Sequence, residues 1–180
     1  MYNINIHTLS FKRGYVPGVN NKKLKEIILK HPKPIVKDPA YFVEDDSSAD
    51  FPMNVEFEKV LNHIAVQFNY VHNKKLKLLK FWSHVNEKNM STVTHNHIVK
   101  DDYEGNNSIS GTYYVQVPEK SGHLVFFYPY NSNVTRKFVV MPKQGEFLLF
   151  PPTLDHHVSR NRSDDLRISI SFNFKIENIN

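Results

Sequence analysis

The sequence contains no cysteine. The chain therefore has neither a disulfide framework nor a thiolate metal site, and this absence suits a reducing compartment such as the cytoplasm, where we expect the protein to act. No apolar run reaches the length of a membrane-spanning helix, and no apolar signal-peptide core follows Met1. These absences predict no membrane partner and leave any metal chemistry to other side chains, above all the ten histidines.

Positive charge exceeds negative charge, with a net charge of +5 and a pI near 9.2. Lysines and arginines gather over residues 12–37 and again over residues 74–80. A solvated surface is the first interpretation of such runs, and attraction of an acidic partner or a nucleic acid is the second. No nucleic-acid motif accompanies the charge, so we expect no nucleic-acid partner. Attraction of a small dianion is the simpler use of the charge.

The N-terminal part predicts one strand and two helices. Residues 1–16 alternate loosely and predict an edge strand, and a short helix follows from Asn20 or Asn21 to Lys30. Residues 54–73 form the clearest helix, with Asn54 as its N-cap. Apolar residues recur there at helical spacing and mark the inward face: Phe57, Val60, Leu61, Ile64, Ala65, Phe68 and Val71.

The rest of the chain is typical of strands. β-Branched and aromatic runs at residues 76–85, 112–117 and 124–128 are bounded by turn residues, as strands are. The strand that starts at Arg167 alternates between two kinds of side chain. One face is apolar and should pack (Ile168, Ile170, Phe172, Phe174), and the other is polar (Arg167, Ser169, Ser171, Asn173). The polar face either meets solvent or lines a ligand cavity in a closed barrel.

Histidines and one arginine are the candidate functional groups. His95 and His97 are two residues apart, so on an extended strand both imidazoles face one side, where they could bind iron, zinc, copper or nickel. Such a pair also arises by chance in a histidine-rich chain and can simply be solvated. A third histidine, His156, follows a proline-ended strand. The guanidinium of Arg167 could hold a carboxylate bidentately, with the hydroxyl of Ser169 reaching the same group.

The order of these motifs resembles a known family. H-x-H, SGTYYV, G-x-L-x-F, G-x-F-L-L-F-P, H-x-V and R-x-S follow one another from about Trp82 to Phe174. This set resembles the 2-oxoglutarate/Fe(II)-dependent oxygenases, most of all the prolyl-hydroxylase-like branch that includes small enzymes of phages and marine bacteria. A phage origin would place the protein in the host cytoplasm.

The resemblance implies a mainly β fold of the α+β kind, a double-stranded β-helix or jelly-roll barrel braced by the N-terminal helices. It implies one oxygenase domain over residues 1–180, with the supporting strand and helices in 1–75 and the barrel core in 76–175. The implied activity is hydroxylation of a C–H bond, in a prolyl residue of a peptide or in a free amino acid. Fe(II), 2-oxoglutarate as cosubstrate and O2 are the implied cofactors.

The same resemblance implies roles for individual residues. His95 and His156 become iron ligands and catalytic residues, and the H-x-V match through Val158 favours His156 over His157. Three residues are implied to bind the far carboxylate of 2-oxoglutarate: Tyr114, Arg167 and Ser169.

The third ligand departs from the family pattern, which is H-x-D. His97 occupies the position of the carboxylate, so it either replaces the carboxylate as a catalytic iron ligand or orients another ligand. Alternatively, Asp101 or Asp102 bends back from the following loop. Strand geometry favours His97 as the ligand.

Two other functions remain open from the residues alone. One is another histidine-ligated metalloenzyme of cupin or zinc-hydrolase type, and the other is a non-catalytic jelly-roll interaction module. Further expectations concern the mouth of the barrel. Residues 99–108 could form a lid, residues 131–139 a flanking loop, and Trp82 is expected in the core rather than in the pocket wall.

Overall fold

The computed structural model describes residues 10–31, 48–97, 107–131 and 134–179. Two helices and nine strands occur in these ranges: β1 (Lys12–Tyr15), α1 (Asn21–Leu29), β2 (Ser48–Ala49), α2 (Val55–His72), β3 (Lys74–Asn86), β4 (Ser108–Gln116), β5 (Leu124–Asn131), β6 (Val134–Val140), β7 (Glu146–Phe150), β8 (His156–Val158) and β9 (Arg167–Asn178). Neither of these helices has the length and apolar character needed to cross a membrane.

The strands form two antiparallel sheets. The larger has the order β1-β7-β4-β9-β3-β2, and the smaller has the order β6-β5-β8. Neighbours that are distant in sequence, such as β4 between β7 and β9, require the chain to cross between sheets, as in a jelly roll. The expected mainly β jelly-roll fold with supporting helices is therefore confirmed. The division into residues 1–75 and 76–175 stays a prediction, and β1 and β2 from the first part join the larger sheet.

Asparagine side chains cap the start of both helices. The Asn20 side chain accepts a hydrogen bond from the backbone N–H of Lys23 at 3.0 Å, and Asn54 accepts one from Phe57 at 3.1 Å. Most of the predicted inward face of α2 is buried: Phe57, Val60, Ile64 and Phe68. Val71, also predicted inward, is 64% exposed. Val71 lies in the last turn of α2 and lines an open cavity, so its side chain remains accessible to solvent.

We expect Asn54→Ala to destabilise the protein by about 1 kcal/mol, because the backbone N–H of Phe57 in the first turn of α2 would lose its side-chain acceptor. Asn54→Asp keeps an acceptor and should cost little. Urea unfolding of the three proteins measures the difference in free energy. Equal loss in both variants would mean that the cap contributes through its shape rather than through this bond.

Two hydrophobic clusters lie on opposite faces of the larger sheet. One packs the sheet against α1 and α2 and includes the apolar face of β9: Ile168, Ile170, Phe172 and Phe174. The other fills the space between the two sheets and includes Phe126 of β5 and Phe150 of β7. The alternation predicted for β9 is confirmed, and its polar face consequently points into the barrel beside the second cluster.

Four expectations about local structure were wrong or lie partly outside the described residues. Residues 131–139 were expected as a loop, yet Val134–Val140 form β6, which pairs with β5 along its length. The expected strand at His95–His97 is reduced to one isolated bridge. The expected edge strand of residues 1–16 appears as the four residues of β1, and residues 1–9 lie outside the described part. Most of the expected lid, residues 98–106, lies outside it as well.

Candidate active site

Backbone pairing brings the distant histidines together. His95 and His156 exchange two backbone hydrogen bonds of 3.0 and 2.9 Å, and they form an isolated antiparallel bridge. Directly opposed residues of an antiparallel pair project to the same side. The two imidazoles therefore lie next to each other, with ring centroids 4.5 Å apart. A contact spanning some sixty residues of sequence is in this way fixed by the backbone.

His97 completes the cluster. Its backbone N–H donates to the carbonyl of Pro152 at 2.8 Å, which keeps the segment extended alongside the chain that enters β8. Residues two apart on an extended segment share a side, so the His97 ring faces the other two rings at 5.4 and 4.9 Å. The ligand atoms of His95, His97 and His156 all lie within 4.8 Å of one another.

Hydrogen bonds at Nδ1 fix the tautomer of each ring. His95 Nδ1 lies 2.8 Å from the carbonyl oxygen of Val93, and His156 Nδ1 lies 2.8 Å from that of Leu154. A carbonyl only accepts, so each Nδ1 carries the proton and each Nε2 keeps its lone pair. Acceptors of this kind, bonded to the ring nitrogen that does not bind the metal, orient metal-binding histidines.

The ring of His97 is held by a side-chain pair. Its Nδ1 lies 2.9 Å from Ser110 Oγ and 3.2 Å from Asn173 Oδ1, while Ser110 Oγ donates to the same Asn173 oxygen at 2.8 Å. Ser110 lies on β4, opposite Asn173 on β9. The two strands thus present one acceptor site to His97, and its Nε2 is left for a metal.

We expect Asn173→Ala to weaken Fe(II) binding by about tenfold, because loss of the acceptor frees the His97 ring and its tautomer. Anaerobic Fe(II) titration measures the affinity, and histidine nitrogen NMR of the metal-free protein reports the tautomer. Asn173→Asp retains an acceptor and serves as the matched control. Unchanged affinity together with an unchanged Nδ1–H signal would show that Ser110 alone is sufficient.

Burial keeps two of the three rings neutral. It lowers the pKa of His97 to about 3, assisted by the charges of His156 and His95, and it lowers the pKa of His156 to about 4. A neutral imidazole is the metal-binding form, so no proton competes for these ligands near neutral pH. Imidazole ligands suit a divalent transition metal such as iron, zinc, copper or nickel.

Arg167 is fully buried without a countercharge. It is 1% exposed, and none of the described carboxylates forms an ion pair with it. Its Nη1 makes only long contacts, of 3.4 Å to Asn86 Oδ1 and 3.3 Å to Ser169 Oγ, and its Nε has no partner. An uncompensated buried charge is strongly destabilising. No described carboxylate compensates this charge, and a carboxylate group would match the fork of donors of the guanidinium.

Tyr114 supplies a second unused donor at the same place. Its ring lies 5.7 Å from the Arg167 guanidinium, its hydroxyl is buried without a partner, and burial raises its pKa to about 12. The hydroxyl is therefore protonated and able to donate. Ser169 is paired with Tyr114 across β4 and β9. The predicted carboxylate-binding group of Arg167, Ser169 and Tyr114 is thus assembled in one place, and it fits one end of a dicarboxylate.

The narrow cavity between the two groups has a volume of about 30 Å³. Its walls come from six strands and the segment that ends at His95: His84, Thr92, His95, Thr112, Leu124, Phe150, His156, Val158, Arg167, Ser169 and Ser171. Two members of the histidine cluster, His95 and His156, thus line the same cavity as Arg167 and Ser169.

Two residues of β3 were missed or misassigned from the sequence. His84 lines the cavity, and burial lowers its pKa to about 3, so it is neutral. Trp82 was expected in the core, but it is half-buried and meets His97 edge-on at 5.3 Å, while its Nε1 donates to His84 Nε2 at 2.8 Å. The alternation of Trp82, His84 and Asn86 on one face of β3 was the available signal.

The remaining candidate ligands differ in position. His157 points away from the cluster, where Nδ1 lies 3.3 Å from Thr94 Oγ1 and the ring packs on Phe127. This orientation agrees with the choice of His156. Asp101 and Asp102, the alternative carboxylates, lie outside the described residues. No described carboxylate takes part in the histidine cluster.

A larger cavity of about 340 Å³ lies on the opposite face of the larger sheet, between α2 and β1. Its lining includes His63 and His72 among mostly apolar neighbours. The only group of three metal-ligating side chains among the described residues is the one at His95. Chemistry rather than volume therefore identifies the candidate site.

Comparison with known proteins agrees with this geometry. A family model described as "Putative 2OG-Fe(II) oxygenase" matches residues 80–173, just over half of the 180-residue chain. That span contains all three clustered histidines and the whole carboxylate-binding group. No curated protein matches the chain by sequence.

Solved structures share the fold at low sequence identity. The viral collagen prolyl hydroxylase of Paramecium bursaria Chlorella virus-1, in complex with 2OG, has a TM-score of 0.60 at 12% identity, over 94% of this chain and 96% of that one. HygX from Streptomyces hygroscopicus, with nickel, 2-oxoglutarate and hygromycin B bound, has a TM-score of 0.64 at 12% identity, over 93% and 83%. The α-ketoglutarate-dependent epimerase SnoN from nogalamycin biosynthesis has a TM-score of 0.53 at 16% identity, over 68% and 56%. The chain therefore spans little more than half of the length of SnoN.

Proposed function

The chain belongs to the family of Putative 2OG-Fe(II) oxygenases, and from this premise we propose that it is a dioxygenase that hydroxylates a C–H bond. Membership of the family confirms the expected use of Fe(II), 2-oxoglutarate and O2. It also favours an oxygenase over the cupin-like or zinc-hydrolase enzyme and over the non-catalytic module that the residues alone left open.

The buried guanidinium of Arg167 is the observation that carries the proposal. A hydrolase that uses metal-bound water has no need of a second, positively charged end to its pocket. A dicarboxylate cosubstrate needs one, because one carboxylate binds far from the metal. The unpaired Nε of Arg167 and the unpaired hydroxyl of Tyr114 are two donors for that group, and Ser169 Oγ lies beside them.

Fe(II) is assigned to Nε2 of His95, His97 and His156, whose Nδ1 atoms are already engaged. Fe(II) held there would activate O2 for hydroxylation of the substrate, and 2-oxoglutarate would supply the other two electrons on conversion to succinate and carbon dioxide. The chain positions the reactants and excludes water through the apolar walls at Phe150 and Val158. Binding of 2-oxoglutarate has to widen the narrow cavity by moving side chains of these walls.

The substrate that we propose is a prolyl residue in a peptide, and a free amino acid is the second candidate. The prolyl assignment is supported by the resemblance of the motifs to the prolyl-hydroxylase-like branch and by the shared fold with the viral collagen prolyl hydroxylase. Trp82, which contacts His97, is half-buried and lies on the same face of β3 as the exposed Lys80, a surface that an extended peptide could follow to the histidine cluster.

The test begins with anaerobic addition of Fe(II) and 2-oxoglutarate. We expect a weak visible absorption band that requires both, followed in air by formation of succinate and by addition of one oxygen atom to a proline-containing peptide in mass spectrometry. Tight zinc binding without the band would support a hydrolase. Absence of any metal uptake would contradict the proposal altogether.

Arg167→Ala should weaken 2-oxoglutarate binding by about ten- to a hundredfold, since a charge-assisted hydrogen bond in a dry site contributes roughly 1.5–3 kcal/mol. Iron affinity should change much less, because Arg167 does not contact the histidine cluster in the described contacts. Arg167→Lys should recover only part of the affinity, because lysine cannot pair bidentately. Titration of 2-oxoglutarate into the iron-loaded variants measures both effects, and an unchanged titration for Arg167→Ala would remove the cosubstrate assignment.

A further inference from the structure

The barrel-facing side of the larger sheet continues beyond the histidines. Residues of β3 and β9 that are paired across the strands alternate between the helix side and the barrel side. Most pairs on the helix side are apolar: Leu76 with Ile176, Leu78 with Phe174, Phe81 with Phe172 and Val85 with Ile168. The pairs on the barrel side run outward from the pocket: Asn86 with Arg167, His84 with Ser169, Trp82 with Ser171, Lys80 with Asn173, Lys77 with Lys175 and Lys75 with Glu177.

This pattern places four lysines on the extension of the pocket wall. A bulge at Leu79 shifts the register, so Lys80 keeps the same side as Lys77. We call Lys75, Lys77, Lys80 and Lys175 the lysine ribbon; all four side chains are exposed. The ribbon is connected to the candidate metal site through one ring. Lys80 Nζ lies 5.7 Å from the centre of the Trp82 ring, which itself contacts His97.

The ribbon is electrostatically costly as it stands. Lys77 and Lys175 are direct cross-strand partners, an arrangement that destabilises a sheet when the charges are alike. None of the four lysines forms an ion pair with another described residue. Glu177 is the single described acid on this side of the two strands. Anions arriving from outside the chain would relieve the repulsion and gain from the combined field.

We propose, on the basis of the function proposed above, that the lysine ribbon binds the carboxylates of an acidic peptide substrate whose reacting residue enters the site beside Trp82. Neighbouring side chains on one face of a strand are about 7 Å apart. Alternate residues of an extended peptide have the same spacing, so acidic residues at every second position would each meet a lysine.

A nucleic acid fits this surface less well. Single strands bind to positively charged grooves that carry rows of aromatic side chains on which successive bases stack. The described barrel-facing residues of β3 and β9 include one aromatic ring, Trp82. Its Nε1 donates to His84 Nε2, and the ring meets that of His97 in a T-shaped arrangement. The ribbon therefore offers charge at strand spacing without a stacking surface.

The experiment uses anisotropy of a labelled peptide with glutamates at alternate positions next to a proline, and a matched peptide with glutamines. Both are added to the full-length protein with Fe(II) and 2-oxoglutarate under argon, and to the metal-free protein. The glutamate peptide should bind about tenfold more tightly than the glutamine peptide, with an affinity that falls as salt rises. Lys77→Gln combined with Lys175→Gln should remove most of this difference.

Lys22→Gln combined with Lys30→Gln is the control, since it removes the same charge from exposed positions at α1 on the helix side of the sheet. Equal losses in both double variants would attribute binding to net charge and overturn the proposal. Equal affinity for the two peptides, or tighter binding of an oligonucleotide of matched charge, would overturn it too. The visible band is recorded in the same samples, so its absence in the unmodified protein reports failure of the oxygenase assignment separately.

Discussion

His156→Ala is expected to abolish Fe(II) binding, whereas His157→Ala should leave it nearly unchanged. His156 is buried with Nδ1 held by the carbonyl of Leu154, so its Nε2 faces the cluster with the lone pair free. His157 projects to the other side of β8 and packs on Phe127. Replacing an orienting neighbour of a metal ligand already costs ten- to a hundredfold in affinity. Loss of a ligand itself should cost more than about a hundredfold.

Anaerobic titration with Fe(II), together with metal content after gel filtration, measures the two variants side by side. The pair controls for general damage, because both substitutions remove an imidazole from the same three-residue strand. Circular dichroism should show the same β content in both. Equal losses of iron, or loss in His157→Ala alone, would mean that the H-x-V match assigns the wrong histidine.

The features that the sequence predicted well are those fixed by local physics. The caps at Asn20 and Asn54 depend on a side chain and an N–H three residues later. The two faces of β9 follow from strict alternation, because one face must pack and the other must not. The resemblance placed His95, His156 and Arg167 in one pocket, although no periodicity could bring residues so distant in sequence together.

The features that the sequence did not predict depend on tertiary pairing. Trp82 contacts His97 only because β3 pairs with β9 in a particular register, past a bulge at Leu79 that no local pattern indicates. β6 is exposed along most of its length, so its sequence lacks the inward-facing apolar period that marks a strand, and pairing with β5 makes it one. The hydrogen bonds of Ser110 and Asn173 to His97 likewise join three separate segments.

The position of His97 changes the charge at the metal. If His97 is the third ligand, the iron is bound by three neutral imidazoles instead of two imidazoles and a carboxylate. The site then carries one more positive charge than the H-x-D pattern gives. Attraction between opposite charges at short range should hold the anionic 2-oxoglutarate more tightly in compensation. The burial of His97 supports this assignment, since burial lowers its pKa to about 3 and keeps it neutral.

We therefore expect His97→Ala to lose most of its Fe(II) affinity, by more than about tenfold, while His97→Asp restores the family pattern and keeps the metal. His97→Asp should also bind 2-oxoglutarate more weakly than the unmodified protein, because the added carboxylate cancels one positive charge. Anaerobic titrations with Fe(II) and then with 2-oxoglutarate measure both effects.

Asp101→Ala and Asp102→Ala are the matched controls, and both should keep their iron. Retained iron affinity in His97→Ala, combined with loss in either aspartate variant, would instead assign the carboxylate ligand to the loop. His97 would then orient a ligand through its contact with Ser110 and Asn173, and the site would carry the ordinary charge of two imidazoles and one carboxylate. In that case His97→Asp would not exchange a neutral metal ligand for an anionic one. The expected difference in 2-oxoglutarate affinity between this variant and the unmodified protein should then disappear.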